Sequence, residues 1–132
     1  MAKILRVNLS DLKTNIEDLP KAYEGLGGRA LTSAIVSQEV PPLADPLGPE
    51  NKLIFSAGIL AGTSAPNNGR LSVGGKSPLT HTIKEANSGG AVAQKLVRLG
   101  FQAVVIEGVA KELTSLKIDQ EGVRFILSLI HI

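Results

Sequence analysis

Cysteine is absent from all 132 residues. That excludes a disulfide scaffold, a thiolate zinc site and any iron–sulfur ligation by this chain. Tryptophan is absent too, and only three phenylalanines and one tyrosine occur. The core must therefore be built from Val, Leu, Ile and Ala, and the aromatic stacking platform of a single-stranded nucleic-acid reader is missing. The net charge of +2 is too small to imply a polyanionic partner. No apolar run reaches the length of a transmembrane helix, and Met1 to Arg6 pass straight into alternation without the regions of a signal peptide. The expectation is a cytoplasmic protein with no nucleic-acid or membrane partner.

What is present is enough for one domain with a modest core: 43% of the residues are apolar. Leu5, Val7 and Leu9 alternate with polar residues, the period of a half-buried strand. Residues 11–15 read as a turn and 16–24 as a short helix. Ala30, Leu31, Ala34 and Ile35 have helical spacing, which predicts a helix over 28–39 that stops before Pro41-Pro42. Strands are predicted at 52–57, 70–74, 102–107, 113–118 and 123–127, and a second helix at 91–99 with Gly100 as its stop. The fold class expected is sheet-rich α+β, with long loops at 41–50 and 58–69 of the kind that carry function.

The strongest constellation is Asn87-Ser88-Gly89-Gly90 leading into the second helix. Asn and Ser are good N-caps, glycines admit close backbone approach, and free amides at a helix start attract anions. Phosphate is the natural ligand; an ordinary capped helix is the plainer alternative. Arg70 follows a Gly/Asn/Pro-rich loop, where its fork of donors suits a phosphate, and Lys76 would add a point charge nearby. A strand, a turn and a return between Arg70 and Asn87 would bring both to one rim.

Gly25-Leu26-Gly27-Gly28-Arg29-Ala30 matches the Gly-x-Gly-x-x-Ala pattern of dinucleotide sites. The residues before it are not a buried parallel strand, so a nicotinamide site is rejected. A close backbone crossing at Gly27-Gly28 is expected instead, with Arg29 either a phosphate ligand or a surface charge. His81 reads as a loop residue, and neither His81 nor His131 has partners at metal-site spacing. Glu85 and Glu107 read as solvated carboxylates, and no nucleophile–base pair stands out.

Six blocks taken in order carry a resemblance. They are Gly27-Gly28-Arg29-Ala30-Leu31, residues 45–55 (DPLGPENKLIF), residues 69–73 (GRLSV), residues 76–80 (KSPLT), Asn87-Ser88-Gly89-Gly90 and residues 100–108 (GFQAVVIEG). This series resembles the N-terminal domain of the aldehyde:ferredoxin oxidoreductase family from about Ile4 to Gly122. The resemblance implies a sheet-rich α+β domain with two similar halves, of which this chain is the first. It implies a tungsten or molybdenum bis(pyranopterin) cofactor, with magnesium bridging the two pterin phosphates. Arg70 would then reach between the pterin and a 4Fe-4S cluster, and the Asn87 backbone carbonyl would help ligate the magnesium. Ser88, Gly89 and Gly90 would form the pterin-contacting turn, with Lys76 beside them.

By the same resemblance, the parent protein would oxidise an aldehyde to a carboxylic acid and pass electrons to ferredoxin. The cluster, its cysteines and the remaining domains would lie beyond Gly122, so this chain alone would be inactive; the family also admits a homo-oligomer. A subunit of a related aromatic thioester reductase, and a non-catalytic phosphate- or pterin-carrying module, are the alternatives. His81-Thr82 departs from a segment commonly glycine-rich in the family, which puts the turn geometry near the cofactor in question. Residues 1–126 are taken as the incomplete cofactor-binding domain. Residues 127–132 read as a non-native tail, the translation of a sequencing adapter. An apolar face is expected to be exposed where the missing half would pack.

Overall fold

A computed structural model describes residues 2–127. Its elements are β1 (Lys3–Asn8), β2 (Lys13–Asp18), α1 (Gly28–Glu39), β3 (Lys52–Ala57), β4 (Leu71–Lys76), β5 (Ile83–Ser88), α2 (Val92–Arg98), β6 (Phe101–Glu107), β7 (Thr114–Asp119) and β8 (Gly122–Leu127). Six strands form one sheet in the order β2-β1-β6-β3-β4-β5, and β7-β8 is a separate hairpin. Only β1 and β6 run parallel; every other neighbouring pair is antiparallel. The α+β expectation holds. Apart from Leu127, the tail read at 127–132 lies outside the described residues, as does His131.

Alternation divides the sheet into two buried faces. Ile4, Ile54, Ala103 and Val105 pack with Leu31, Ile35 and Val36 of α1. Leu5, Val7, Ala57 and Val104 face the other way, onto Ala93 and Leu96 of α2. Leu116, Ile118, Val123 and Phe125 of the hairpin pack against this second cluster. Phe101 joins Val104 rather than Ala103 because the β1–β6 register slips: Lys3 pairs with Phe101, but Ile4 pairs with Ala103. One extra residue on β6 turns its first side chain to the opposite face, as a bulge does.

Two expectations are corrected here. The predicted helix over 16–24 is instead the end of β2, followed by a single 3₁₀ turn at Lys21–Tyr23. Pro20 lacks the amide a helix needs, and pairing with β1 from Lys3↔Asp18 to Asn8↔Lys13 satisfies the backbone instead. The second is the entry to α2. Asn87 and Ser88 are the last residues of β5, not caps; Ala91 occupies the cap position, with no side-chain hydrogen bond. The β4–β5 ladder, from Leu71↔Ser88 to Lys76↔Ile83, has already claimed that backbone.

The long loop at 41–50 is tied down. Asn51 donates to the carbonyls of Pro46 (2.8 Å) and Lys76 (2.9 Å) and accepts from the Lys52 and Lys76 amides. Lys76, only 8% exposed, donates its ammonium to the carbonyls of Pro42 (2.7 Å) and Ala44 (2.6 Å). No helix among the described residues is long and apolar enough to cross a membrane.

Candidate functional site

The β4–β5 hairpin brings Arg70 and Asn87 to one rim. Arg70 immediately precedes β4, and the register that pairs Ser72 with Asn87 places Asn87 beside it. The guanidinium Nε donates to Asn87 Oδ1. A Cβ placed on Gly89 would lie 3.6 Å from Nη1 of Arg70, so the guanidinium passes over a glycine with no side chain to obstruct it. At Gly69 an added Cβ would sit 2.9 Å from the Gly90 carbonyl oxygen, a spacing real side chains do not tolerate. Gly90 itself has a φ of 114°, which favours glycine. The loop before β4 and the turn after β5 therefore meet backbone to backbone, which only glycines allow.

Beneath this rim is a hydrogen-bonded chain that reaches α1. Glu85 lies two residues before Asn87 on the same side of β5, and its side chain is 10% exposed. It accepts hydrogen bonds from Ser72 Oγ (2.7 Å), Asn87 Nδ2 (3.1 Å) and Arg29 Nε (3.2 Å). Thr32 of α1, fully buried, meets Ser72 at 3.4 Å. The hydrogen bond from Ser72, followed by that from Asn87, holds the Glu85 carboxyl below its ordinary pKa, and Arg29 adds to the effect. Glu85 is thus an anion with committed partners, which corrects the reading of it as merely solvated. Arg29, left open between phosphate ligand and surface charge, pairs with Glu85. Sequence reasoning missed Glu85 and Ser72; the available signal was the two-residue spacing of Glu85 and Asn87 within a strand.

Lys76 does not join the rim. It ends the strand that Arg70 precedes, about 20 Å away at the usual rise per residue, and its ammonium is committed to the 41–50 loop. The expectation of a point charge beside Arg70 is corrected accordingly. His81-Thr82 likewise lies in the turn between β4 and β5, at the far end from Arg70, so it does not shape this rim. His81 is the exposed loop residue expected. The close crossing expected at Gly27 is present: a Cβ there would lie 2.8 Å from Ile59 Cγ1 and 2.9 Å from the Ile59 nitrogen.

A second polar cluster closes the opposite end of the sheet. Arg6 donates to Glu39 at 2.7 and 3.0 Å and to Glu17 at 2.7 Å, and the Tyr23 hydroxyl donates to Glu39 at 2.7 Å. Lys52 pairs with Glu107, so Glu107 is not a lone carboxylate either. Burial opposes the charge of Glu39, but hydrogen bonds from Arg6 and Tyr23 outweigh it and lower its pKa. Hydrogen bonding to Glu39 raises the Arg6 pKa despite burial, while burial and then the bond to Glu39 raise that of Tyr23. These hydrogen bonds keep Glu39 charged near neutral pH and tie β1, β2, α1 and the 3₁₀ turn together as a structural clasp. Among the described residues no group of three or more His, Asp or Glu side chains is placed to hold a metal.

The rim's chemistry suits an oxyanion. Arg70 offers Nη1 and Nη2 beyond the Nε held by Asn87, and the adjoining glycines leave backbone open to close approach. A pterin phosphate fits this donor set. A magnesium ion would have to rely on backbone carbonyls, which the edge strand β5 supplies on its unpaired side. An iron–sulfur cluster finds no ligand in a chain without cysteine.

Comparison with known proteins converges on one family. Residues 4–127 match the family described as aldehyde ferredoxin oxidoreductase, N-terminal domain. The tungsten-containing aldehyde ferredoxin oxidoreductase of Pyrococcus furiosus is 45% identical over 123 residues, covering 92% of this chain and 20% of that protein. Its counterpart in Thermococcus kodakarensis is 46% identical over 112 residues, covering 83% of this chain and 18% of that protein. Among solved structures, the active-site complex BamBC of benzoyl coenzyme A reductase, in complex with 1,5-dienoyl-CoA, superposes with a TM-score of 0.90 at 31% identity. The match covers 96% of this chain and 20% of that one. The chain thus spans about a fifth of the length of the relatives it matches.

Proposed function

The chain belongs to the aldehyde ferredoxin oxidoreductase family, and from that premise we propose that it is the cofactor-gripping N-terminal part of a larger tungsten- or molybdenum-pterin enzyme. The observation that supports this most directly is the Arg70–Asn87 hydrogen bond above the Gly69–Gly90 crossing. Arg70 holds a pterin phosphate through its free Nη groups, while Ser88, Gly89 and Gly90 line the turn against which it rests. The Asn87 backbone carbonyl helps ligate a magnesium ion. The metal–pterin centre supplies the two-electron redox chemistry when bound, and this chain anchors and orients it. Glu85 and Glu39 both hold their protons less tightly than ordinary carboxylates, so each stands as an anion within its hydrogen bonds.

For the whole protein the reading is oxidation of an aldehyde to a carboxylic acid, with ferredoxin as acceptor and a 4Fe-4S cluster held by residues beyond this chain. The similarity to BamBC favours a second reading, a subunit acting on an aromatic thioester. Both use the same grip. In the full-length protein, Arg70→Ala should lower tungsten or molybdenum and pterin content at least severalfold, measured by metal analysis and by fluorescence of the released oxidised pterin. Unchanged metal, pterin and turnover would remove Arg70 from this role.

A further inference from the structure

We propose that Glu85 is a positioning residue for the rim: it holds Asn87 so that Asn87 aims Arg70. The inference rests on the reading of the rim as a phosphate grip. An amide can present either end, and which end faces Arg70 decides whether the contact forms. Glu85 Oε1 accepts from Asn87 Nδ2, and that bond turns the Asn87 oxygen toward Arg70 Nε. With Nε occupied, the guanidinium is fixed in orientation and its two Nη groups remain for a ligand. Glu85 is itself held: Ser72 donates to the same oxygen and Arg29 to the other, and Ser72 meets the buried Thr32 of α1. The chain of contacts thus fixes an exposed arginine on an edge hairpin to a helix in the core.

Position and charge make opposite predictions for this residue. A carboxylate near an anion site repels the anion, so removing Glu85 would tighten binding if only its charge mattered. If it positions Arg70, removing it weakens binding in spite of the lost repulsion. The experiment is a calorimetric titration of inorganic phosphate into the full-length, cofactor-free protein. Glu85→Ala should weaken phosphate binding by about tenfold, the scale of one misdirected charge-assisted contact. Glu85→Gln keeps the oxygen that accepts from Asn87 and Ser72, and should bind phosphate at least as tightly as wild type. Adding Glu85→Ala to Asn87→Ala should cause no further weakening, because the intermediary is already gone and only the relief of repulsion remains.

Tighter or unchanged phosphate binding in Glu85→Ala, while Arg70→Ala abolishes it, overturns the positioning role and leaves the phosphate grip intact. Phosphate binding that survives Arg70→Ala overturns the grip and this inference with it. Should Glu85→Ala fail to fold, Glu85→Leu takes its place, keeping the bulk while removing the acceptor: weaker phosphate binding supports positioning, and tighter or unchanged binding overturns it. A Gln variant that loses phosphate as completely as Arg70→Ala counts against positioning.

Discussion

Lys76 shows how one residue's role is decided by what surrounds its charged end. Its ammonium is buried and donates to two loop carbonyls, Pro42 and Ala44. Lys76→Met keeps the aliphatic stem and strands both acceptors, which should cost about 1–3 kcal/mol. Amide hydrogen exchange in the full-length protein should speed up across residues 41–51, while phosphate affinity stays within about twofold, well inside the tenfold that 1.4 kcal/mol represents. The converse result, lost phosphate binding with a quiet loop, would return Lys76 to the rim. In sequence, Lys76 and Arg70 were indistinguishable as cations flanking a strand. The difference between them is burial, which no local pattern reports.

At the scale of elements, α1 sits on the sheet through one very close approach. A Cβ on Gly74 would lie 2.7 Å from the Thr32 Cβ and 2.9 Å from its Oγ1. Both partners are interior, so neither can swing aside as a flexible side chain would. Gly74→Ala should therefore push α1 off β4, costing about 1–3 kcal/mol as overpacking does. Because Thr32 leads through Ser72 to Glu85, the same change should also weaken phosphate binding at the rim, a joint effect that thermal melting and titration together would detect. Helix α1 was legible in advance because its apolar spacing is local, and the structure places it at Gly28–Glu39. Strand β2 was not, since Lys13–Asp18 is mostly exposed and its identity comes from the neighbour it pairs with.

Over the whole molecule, the Arg6–Glu39 clasp joins elements that are far apart in sequence. Glu39 ends α1, Arg6 lies in β1, Tyr23 in the 3₁₀ turn, and Lys52 begins β3. Because folding lowers the Glu39 pKa, its contribution is complete above the ordinary glutamate value of 4.5. It is lost as the pH falls through the lowered native value. Glu39→Gln should cost about 2 kcal/mol at neutral pH, the scale of a charged hydrogen bond. The gap between variant and wild type should close as the pH drops below 4.5. A gap that stays constant into the acid range would show that the carboxylate's charge contributes nothing. The exposed leucines at positions 47 and 53, together with Val109, line one shallow depression.

By itself the sequence determined the periodic elements, the absence of cluster ligands, and the ordered glycine-bearing blocks that mark the family. Each is local: side-chain period, residue inventory, or a short string. It also marked Arg70 and Asn87 as a pair to watch, seventeen positions apart. Only the tertiary structure decided that they touch, that Glu85 stands behind them, and that Lys76 belongs elsewhere. The physical reason is register. The β4–β5 ladder sets which residues oppose one another and which face they share, and a slip of one would turn Glu85 and Asn87 to the opposite side. That register is the summed outcome of pairing and burial along the hairpin, and no single stretch of the chain encodes it.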